Sequence, residues 1–525
     1  MKKLFFAAAS VIVFTGTAAV LAQQAAPPAG APPAAAPGAA AAPAAGRGGR
    51  GPNPQQVMFT ARCAGCHGND LNGARAPSLF NYELLRQRTD AQLRQTILEG
   101  NPAVDMPAFK GQISEDEVNQ LITFMRVQSG NTRTLPTFVA DPNGQVLKTQ
   151  KQNVRIEVVA AGIDTPFGMV FLPDGRMLVS ERGGKIRIIG ADGKLVAEPV
   201  KNTPTAWVRQ DGGYFDIAAH PDYARNGWIY LSFSEVSPTY TGPIPAADAP
   251  TPPGNAWPPS NTRIVRGKIN AAGEWVEQQD IVKLPPILYT PGNIHYGQRF
   301  LFDRQGHLFW TLGDRGDQLN GQDLSSPMGK IHRINDDGSI PKDNPFVTLA
   351  GAWPSIWSYG NRNPQGLAID PRTGLMWESE HGPTGGDEIN IIEKGKDYGW
   401  AVVSDGTQAG ITSRTAPLMV PPITSYSPSV GPSGISFYLG NRYPGWRNSL
   451  FVSMLIGQKL VRMEVSGRRI LSQETIFENY GRTRQVMTGP DGLLYILIQN
   501  PTGRGTNLSL SAPSAGMVIR LQPVN

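Results

Sequence analysis

Six short segments of one type recur through the C-terminal two-thirds of this chain, usually beside a Gly or Asp-Gly turn. They are RMLVSE (176–181), WIYLSF (228–233), HLFWTL (307–312), LMWESE (375–380), SLFVSM (449–454) and LLYILI (493–498). Their starts lie 44 to 79 residues apart, with no helical periodicity between them. A β unit recurring at irregular intervals near 60 residues predicts an all-β, six-bladed propeller with loop insertions, because one blade cannot bury its faces alone. A pair of β-sandwiches is the competing arrangement. Glycine (59) and proline (46) make up a fifth of the 525 residues, which disfavours long helices and favours turn-rich β structure.

The N-terminal part has a different character. Lys2 and Lys3 precede an apolar stretch from Leu4 to Val13, and Val20 and Ala22 stand at −3 and −1 before Gln23. This pattern predicts a signal peptide over 1–22 and a periplasmic or secreted protein. An uncleaved anchor is the alternative, but Thr15, Gly16 and Thr17 break the apolar stretch and no other segment could span a bilayer, so no stable membrane anchor is expected. Residues 25–50 contain only Ala, Pro, Gly and Arg, so 23–53 reads as a disordered tether. Residues 54–130 read as a compact helical unit. Within it Ser114 and Glu117 form a capping box, and Val118, Leu121, Ile122 and Met125 share one helical face. A polar linker, 131–150, leads to the propeller at 151–525. If about 20 of its residues are flexible, it spans roughly 25 Å r.m.s..

Charge excludes one class of partner. A net +6 is small for this length, and without a Lys/Arg run the chain does not read as a nucleic-acid binder. The two cysteines, three apart, exclude a disulfide framework. They belong instead to Cys63-Ala64-Gly65-Cys66-His67, the attachment pattern of haem c. Two thiols add to the haem vinyl groups, and the adjacent histidine presents its imidazole to the iron from the same turn. A thioredoxin-like or zinc pair is the alternative, but no second cysteine pair remains to complete a zinc site. The sixth iron ligand is expected downstream in the same unit, at Met106 in Asp105-Met106-Pro107. A thioether there raises the potential relative to two histidines, which suits an electron acceptor. The 54–130 segment resembles a small class I cytochrome c, an all-α domain.

Five histidines lie in the propeller. His220, His307 and His332 sit in or beside strand-like runs and read as structural. His295 lies in the loop Gly292–Gly297, and the next strand ends in Gly313-Asp314-Arg315. A loop histidine with a carboxylate on the adjoining strand is a candidate base and orienter. Gly360-Asn361-Arg362-Asn363-Pro364 places an arginine and an amide where a planar or multi-carboxylate anion could be held bidentately. Glu380-His381-Gly382-Pro383 and Gly385-Gly386-Asp387-Glu388 cluster oxygen donors of the kind calcium takes, though not with EF-hand spacing. Arg482 and Arg484 alternate on an extended segment; a solvated basic edge is the plain alternative.

Together these residues resemble the soluble, pyrroloquinoline-quinone (PQQ)-dependent aldose and glucose dehydrogenases, six-bladed propeller quinoproteins. The resemblance covers most of 155–523 and rests on DGRMLVSERGGKIRII, AAHPDYARNGWIYLSF, GDRGD, INDDGSIPKDNPF, GNRNPQGLA, EHGPTGGDEINII and KDYGW. It implies His295 as the base taking the anomeric proton and Asp314 as its orienter. It implies Arg362 and Asn363 near the quinone carbonyls, and Arg482 and Arg484 on the cofactor carboxylates. Gly382 and Pro383 would face a cofactor calcium, and Glu388 and Tyr398 a second one. Three positions depart from the glucose-oxidising members. Asp211 replaces a glutamine, Ser427 an aromatic ring and Ile456 a lysine, with Lys459 three residues away. The expected activity is dehydrogenation of an aldose or related polyol, with electrons passed to the fused haem and on to a downstream acceptor. The rival expectations are a calcium-dependent propeller lactonase and a cofactor-less propeller that binds sugar or protein.

Overall fold

The computed structural model describes residues 54–67, 79, 85, 88–102, 106–131, 141–246, 249, 252, 257–406, 408, 411, 413–499 and 516–524. The expected signal peptide and tether lie outside them. The helical unit comprises α1 (Pro54–Arg62), α2 (Ala64–His67), α3 (Asp90–Glu99) and α4 (Glu115–Asn131). Helix α3 starts at a Thr89/Gln92 capping box. Helix α4 starts at the expected Ser114/Glu117 box, with Ser114 N–H donating to Glu117 Oε2 at 2.7 Å and Glu117 N–H to Ser114 Oγ at 3.2 Å. Val118, Leu121, Ile122 and Met125 are buried in one core with Phe59, Leu93 and Ile113.

The remainder is six radial sheets, as the recurring segments predict. Blade 1 is built from Pro166–Phe171, Met177–Glu181 and Lys185–Ile189. Blades 2 to 5 have four antiparallel strands each, beginning at Tyr214–Ala219, Phe300–Phe302, Pro364–Ile369 and Pro432–Phe437. Blade 6 joins the two ends of the propeller. Arg482–Thr488, Leu494–Gln499 and Gly516–Pro523 are completed by Val154–Ile163 and by the short outer strand Val146–Leu147. Pairing the first and last strands in one sheet closes the ring and leaves no radial gap. Two packed sandwiches would not place the first strand of each blade beside the first strand of the next.

All six recurring segments are the second strand of their blade. Blades stack on both faces, so these strands are buried throughout rather than on alternate residues, and that produces the continuous apolar run. The first strands line the axis and are far less uniform. In five of the six the register shifts near the start, between Pro166 and Gly168, Tyr214 and Ile217, Pro364 and Gly366, Pro432 and Ile435, and Thr483 and Gln485. Such bulges re-aim side chains at a strand end. Asp216, Gln365 and Arg484 occupy three of them. At Gly366 a Cβ would stand 2.3 Å from the Ser433 carbonyl oxygen, so glycine is what lets blade 4 meet blade 5 there.

Candidate active site

In an antiparallel blade the start of the first strand and the end of the second lie at one rim. Pro166 pairs with Glu181 in blade 1, and Pro364 with Glu380 in blade 4. Residues just outside these pairs, Arg182, Arg362, Asn363 and His381, therefore converge on one mouth. Asp314, two residues past the second strand of blade 3, joins them, as does Arg482 at the start of blade 6.

The expected base and orienter are in contact. His295 Nδ1 lies 2.7 Å from Asp314 Oδ1. The same oxygen accepts the Gly316 N–H at 2.8 Å, and Trp400 Nε1–H donates to Oδ2 at 2.8 Å. Burial pushes the Asp314 carboxyl up, but the His295 hydrogen bond and the nearby positive charges of His295 and Arg362 outweigh it and hold the group below the usual range. His295 has φ +54°, a left-handed conformation rare for histidine, and its N–H donates to Asp211 Oδ2 at 3.1 Å. With Nδ1 committed to Asp314, Nε2 is the ring nitrogen left for a substrate.

Around this pair lies a concentration of buried positive charge. Burial lowers Arg482 to about 10, against the pull of Asp211 and with Arg182 adding to the effect. Arg484 is pushed well down by burial and then by Arg299 and Arg482. Arg182 falls to about 10 for the same first reason. A guanidinium does not lose its proton in a protein, so desolvated cations gathered in this way favour a bound anion. Arg484 Cζ stacks 3.7 Å above the Phe167 ring, and Arg299 is anchored on buried Asp216 at 2.9 Å. The buried Nε atoms of Arg362, Arg482 and Arg484 and Nε2 of His381 have no hydrogen-bond partner. Orphaned buried donors of this kind fit a rigid, multiply carboxylated cofactor such as PQQ. His381 is held neutral by burial and by the surrounding arginines and His295. Asn363 Oδ1 accepts from the Gly297 backbone N–H at 3.0 Å and from the Gln365 side-chain Nε2 at 3.1 Å, which ties the loop of His295 to blade 4.

The oxygen donors behave differently. The Gly382 carbonyl accepts from Arg362 Nη1 at 2.7 Å, and the His381 carbonyl from the same atom at 3.1 Å. A cation on Gly382 would have to share that carbonyl with the guanidinium. Glu388 stands across the sheet from Glu380, and one Asn390 amide donates to both Glu378 and Glu388 at 3.1 Å. Glu380 is pushed up to about 7 by burial, the hydrogen bonds and charge of Arg362 opposing. Glu378 and Glu388 are pushed up by burial and by Glu380. Buried carboxylates with too little counter-charge suit a hard cation. Tyr398 lines the same pocket, but its hydroxyl is engaged, donating to the Ile391 carbonyl at 2.7 Å and accepting from the Glu393 N–H at 2.8 Å. Among the described residues no group of three or more His, Cys, Asp or Glu closes on a metal.

Of the three departures, Asp211 accepts the His295 N–H, and the other two have these settings. Ser427 Oγ accepts the Gly386 N–H at 2.9 Å and so fixes the 382–386 loop. Ile456 is half exposed. Lys459 starts a strand opposite Glu478. His332, stacked 4.1 Å from Trp310, and His307, on Asp303 at 2.8 Å, are structural as read. The sequence reading passed over Arg182, Arg299, His381 and Trp400 as site residues. A signal for two of them was present: Ser-Glu-Arg-Gly at 180–183 and Ser-Glu-His-Gly at 379–382 are one motif at equivalent points of blades 1 and 4.

In the helical unit, Cys63 joins α1 to α2, and its carbonyl accepts the Cys66 and His67 N–H groups at 3.1 and 3.0 Å. One turn therefore carries both thiols and the imidazole, as haem attachment requires, and neither thiol is in a disulfide. Met106 lies between α3 and α4, bridged to Asn101 by backbone hydrogen bonds of 3.1 and 2.9 Å.

Residues 163–509 match the family described as glucose/sorbosone dehydrogenase, and 52–125 match cytochrome c oxidase, cbb3-type, subunit III. Aldose sugar dehydrogenase YliI of Escherichia coli is 36% identical over 67% of this chain and 91% of its own length. The apo structure of the soluble E. coli aldose sugar dehydrogenase superposes with a TM-score of 0.61 at 31% identity, covering 71% of this chain and all of that one. The PQQ-bound aldose sugar dehydrogenase of Streptomyces coelicolor gives 0.54 at 25% identity, over 73% of this chain and all of that one. This chain belongs to the glucose/sorbosone dehydrogenase family and carries a cytochrome c domain ahead of its propeller.

Proposed function

We propose that this protein is a periplasmic or secreted quinohaemoprotein that oxidises an aldose, or a related polyol, and passes the electrons through its own haem c to an outside one-electron acceptor. The observation that carries the reading is one mouth holding both the His295–Asp314 pair and the arginines with unpartnered Nε atoms. The bound quinone would supply the acceptor for the substrate's hydride, and the haem, held by Cys63, Cys66 and His67 with Met106 as sixth ligand, would carry electrons away singly.

The remaining work falls to this chain. Arg482 and Arg484 would hold the cofactor's carboxylates, and Arg362 and Asn363 would bind its carbonyl groups. His295 Nε2 takes the proton from the anomeric hydroxyl as the carbon gives up its hydride. Asp314 keeps Nδ1 protonated and stabilises the imidazolium, while Trp400 prevents the carboxylate from turning. Each sugar yields two electrons and two protons, so two one-electron deliveries must follow every turnover. Export is supported by the leader-like segment 1–22, and no described helix is long and apolar enough to cross a membrane. The buried Glu378, Glu380 and Glu388 make calcium a component to include in the assay.

The test is haem absorbance of pre-oxidised protein mixed with PQQ, calcium and a panel of aldoses. A reduced α-band that needs both sugar and quinone supports the reading. Haem that stays oxidised with every sugar, yet is reduced by dithionite, would remove it. The His295→Gln variant should lose sugar-dependent reduction and keep its haem spectrum.

A further inference from the structure

Helix α4 is buried on two opposite faces. Val118, Leu121, Ile122 and Met125 fill the helical unit's own core. At 100° per residue, Asp116, Thr123 and Val127 form a stripe on the far side. Thr123 and Val127 are only 6% and 7% exposed, and what covers them is the propeller. Thr123 Oγ1–H donates to the Asp405 carbonyl at 3.3 Å, and Ser413 Oγ–H donates to Asp116 Oδ2 at 3.3 Å. A Cβ added at Gly385 would stand 3.1 Å from Val127 Cγ2, so that methyl lies directly on the glycine. Arg414, ion-paired with Asp405, also feels the charges of Asp90 and Asp116.

The propeller segments touched by this stripe are the outer wall of the pocket. Gly382, Pro383, Gly386 and Ser404 line its inside with Arg362 and His381. The two wall segments press together as bare backbone: a Cβ at Gly406 would stand 2.2 Å from the Gly385 carbonyl oxygen, and one at Gly386 would stand 2.1 Å from the Gly406 nitrogen. One layer of glycine-rich chain thus separates α4 from the pocket. Electron transfer weakens exponentially with distance, so a wall one chain thick is where an electron would cross.

We propose that the cytochrome domain works docked, not by excursions on a flexible linker, and that the Asp116–Thr123–Val127 stripe seated on 383–386, 404–406 and 413–414 is the seam across which electrons leave the propeller. The electron-transfer part rests on the dehydrogenase reading above; the docking part does not. The stripe is invisible to simple periodicity, since it is polar at two of its three positions.

The experiment compares the full-length protein, loaded with haem, with its Val127→Lys and Thr123→Arg variants. Both residues lie outside the haem-binding and sugar-site machinery. Three readouts are taken: aldose-driven haem reduction, aldose-driven reduction of a small soluble dye, and hydrogen exchange across 383–386 and 403–406. Docking predicts haem reduction at least tenfold slower, dye reduction within twofold of the parent, an unchanged haem spectrum and faster exchange in both wall segments. Haem reduction within twofold of the parent in both variants, or unchanged exchange, overturns the proposal. A parent protein that reduces no dye with any aldose counts against the dehydrogenase reading alone, and exchange then decides the docking.

Discussion

His295 and buried Asp314 form a pair, Nδ1 to Oδ1 at 2.7 Å, with the second carboxylate oxygen held by Trp400 Nε1–H at 2.8 Å. Both oxygens are committed, so the imidazole has one tautomer compatible with its surroundings. Asp314→Asn keeps the shape and removes the charge that would stabilise an imidazolium. The kcat for sugar oxidation should fall roughly 10²–10⁴-fold, while the affinity for PQQ, measured by titration, stays within about twofold. An equal loss in PQQ affinity would make Asp314 a cofactor-site residue rather than an orienter.

Arg482 is a part-buried cation with an enclosed, unpartnered Nε and other cations nearby. Arg482→Gln should weaken PQQ binding by roughly tenfold or more, given about 1.5–3 kcal/mol for a hydrogen bond to a charged group. The same change should raise the melting temperature of the cofactor-free protein, because it removes repulsion that only a bound anion offsets. Calorimetry with and without PQQ measures both effects. A melting temperature that falls in both states would mean the arginine is a scaffold group.

Asp211 faces the arginines and holds the His295 backbone, accepting its N–H at 3.1 Å. Asp211→Asn keeps an acceptor and loses a negative charge, so an anionic cofactor should bind several-fold more tightly with kcat little changed. Asp211→Ala also loses the acceptor, and with it the restraint on a residue at φ +54°. Its kcat should fall below that of the Asn variant. Equal kcat in the two variants would show that the restraint is unnecessary.

His332 is buried against Trp310 and bonded to Ser355 Oγ at 2.9 Å and the Pro327 carbonyl at 2.8 Å. Burial lowers its pKa from 6.5 to about 3. Between those values the unfolded chain binds the proton and the folded chain does not, so stability rises with pH across this window and falls as the solution is acidified. At about 1.4 kcal/mol per unit the loss approaches roughly 5 kcal/mol near pH 3. His332→Gln should flatten the pH dependence of the melting temperature between pH 6 and 4. An unchanged slope would show that carboxylates govern acid unfolding instead.

What could be read beforehand follows from what burial does to composition. The second strands are enclosed on both faces, so Leu308–Leu312 or Leu450–Met454 can be little but apolar or small, and the repeat stands out. The first strands line an axis and a mouth where charge is wanted, so Arg482-Thr-Arg-Gln shows no strand pattern. His295 and Asp314 were readable as a pair because they flank one hairpin. Arg182 and His381 were readable only through the repeated Ser-Glu-Arg-Gly and Ser-Glu-His-Gly motif, because they come from different blades and no local spacing joins them.

By itself the sequence determined the number of blades, the haem attachment turn and the chemical types at the mouth, since each is written in local composition or spacing. The tertiary structure decided which of those groups meet. It turned the Gly382 carbonyl onto Arg362, gathered arginines from four blades and laid the back of α4 on the pocket wall. Those are relations between segments tens to hundreds of residues apart, set by how blades close and pack, and no local pattern encodes them.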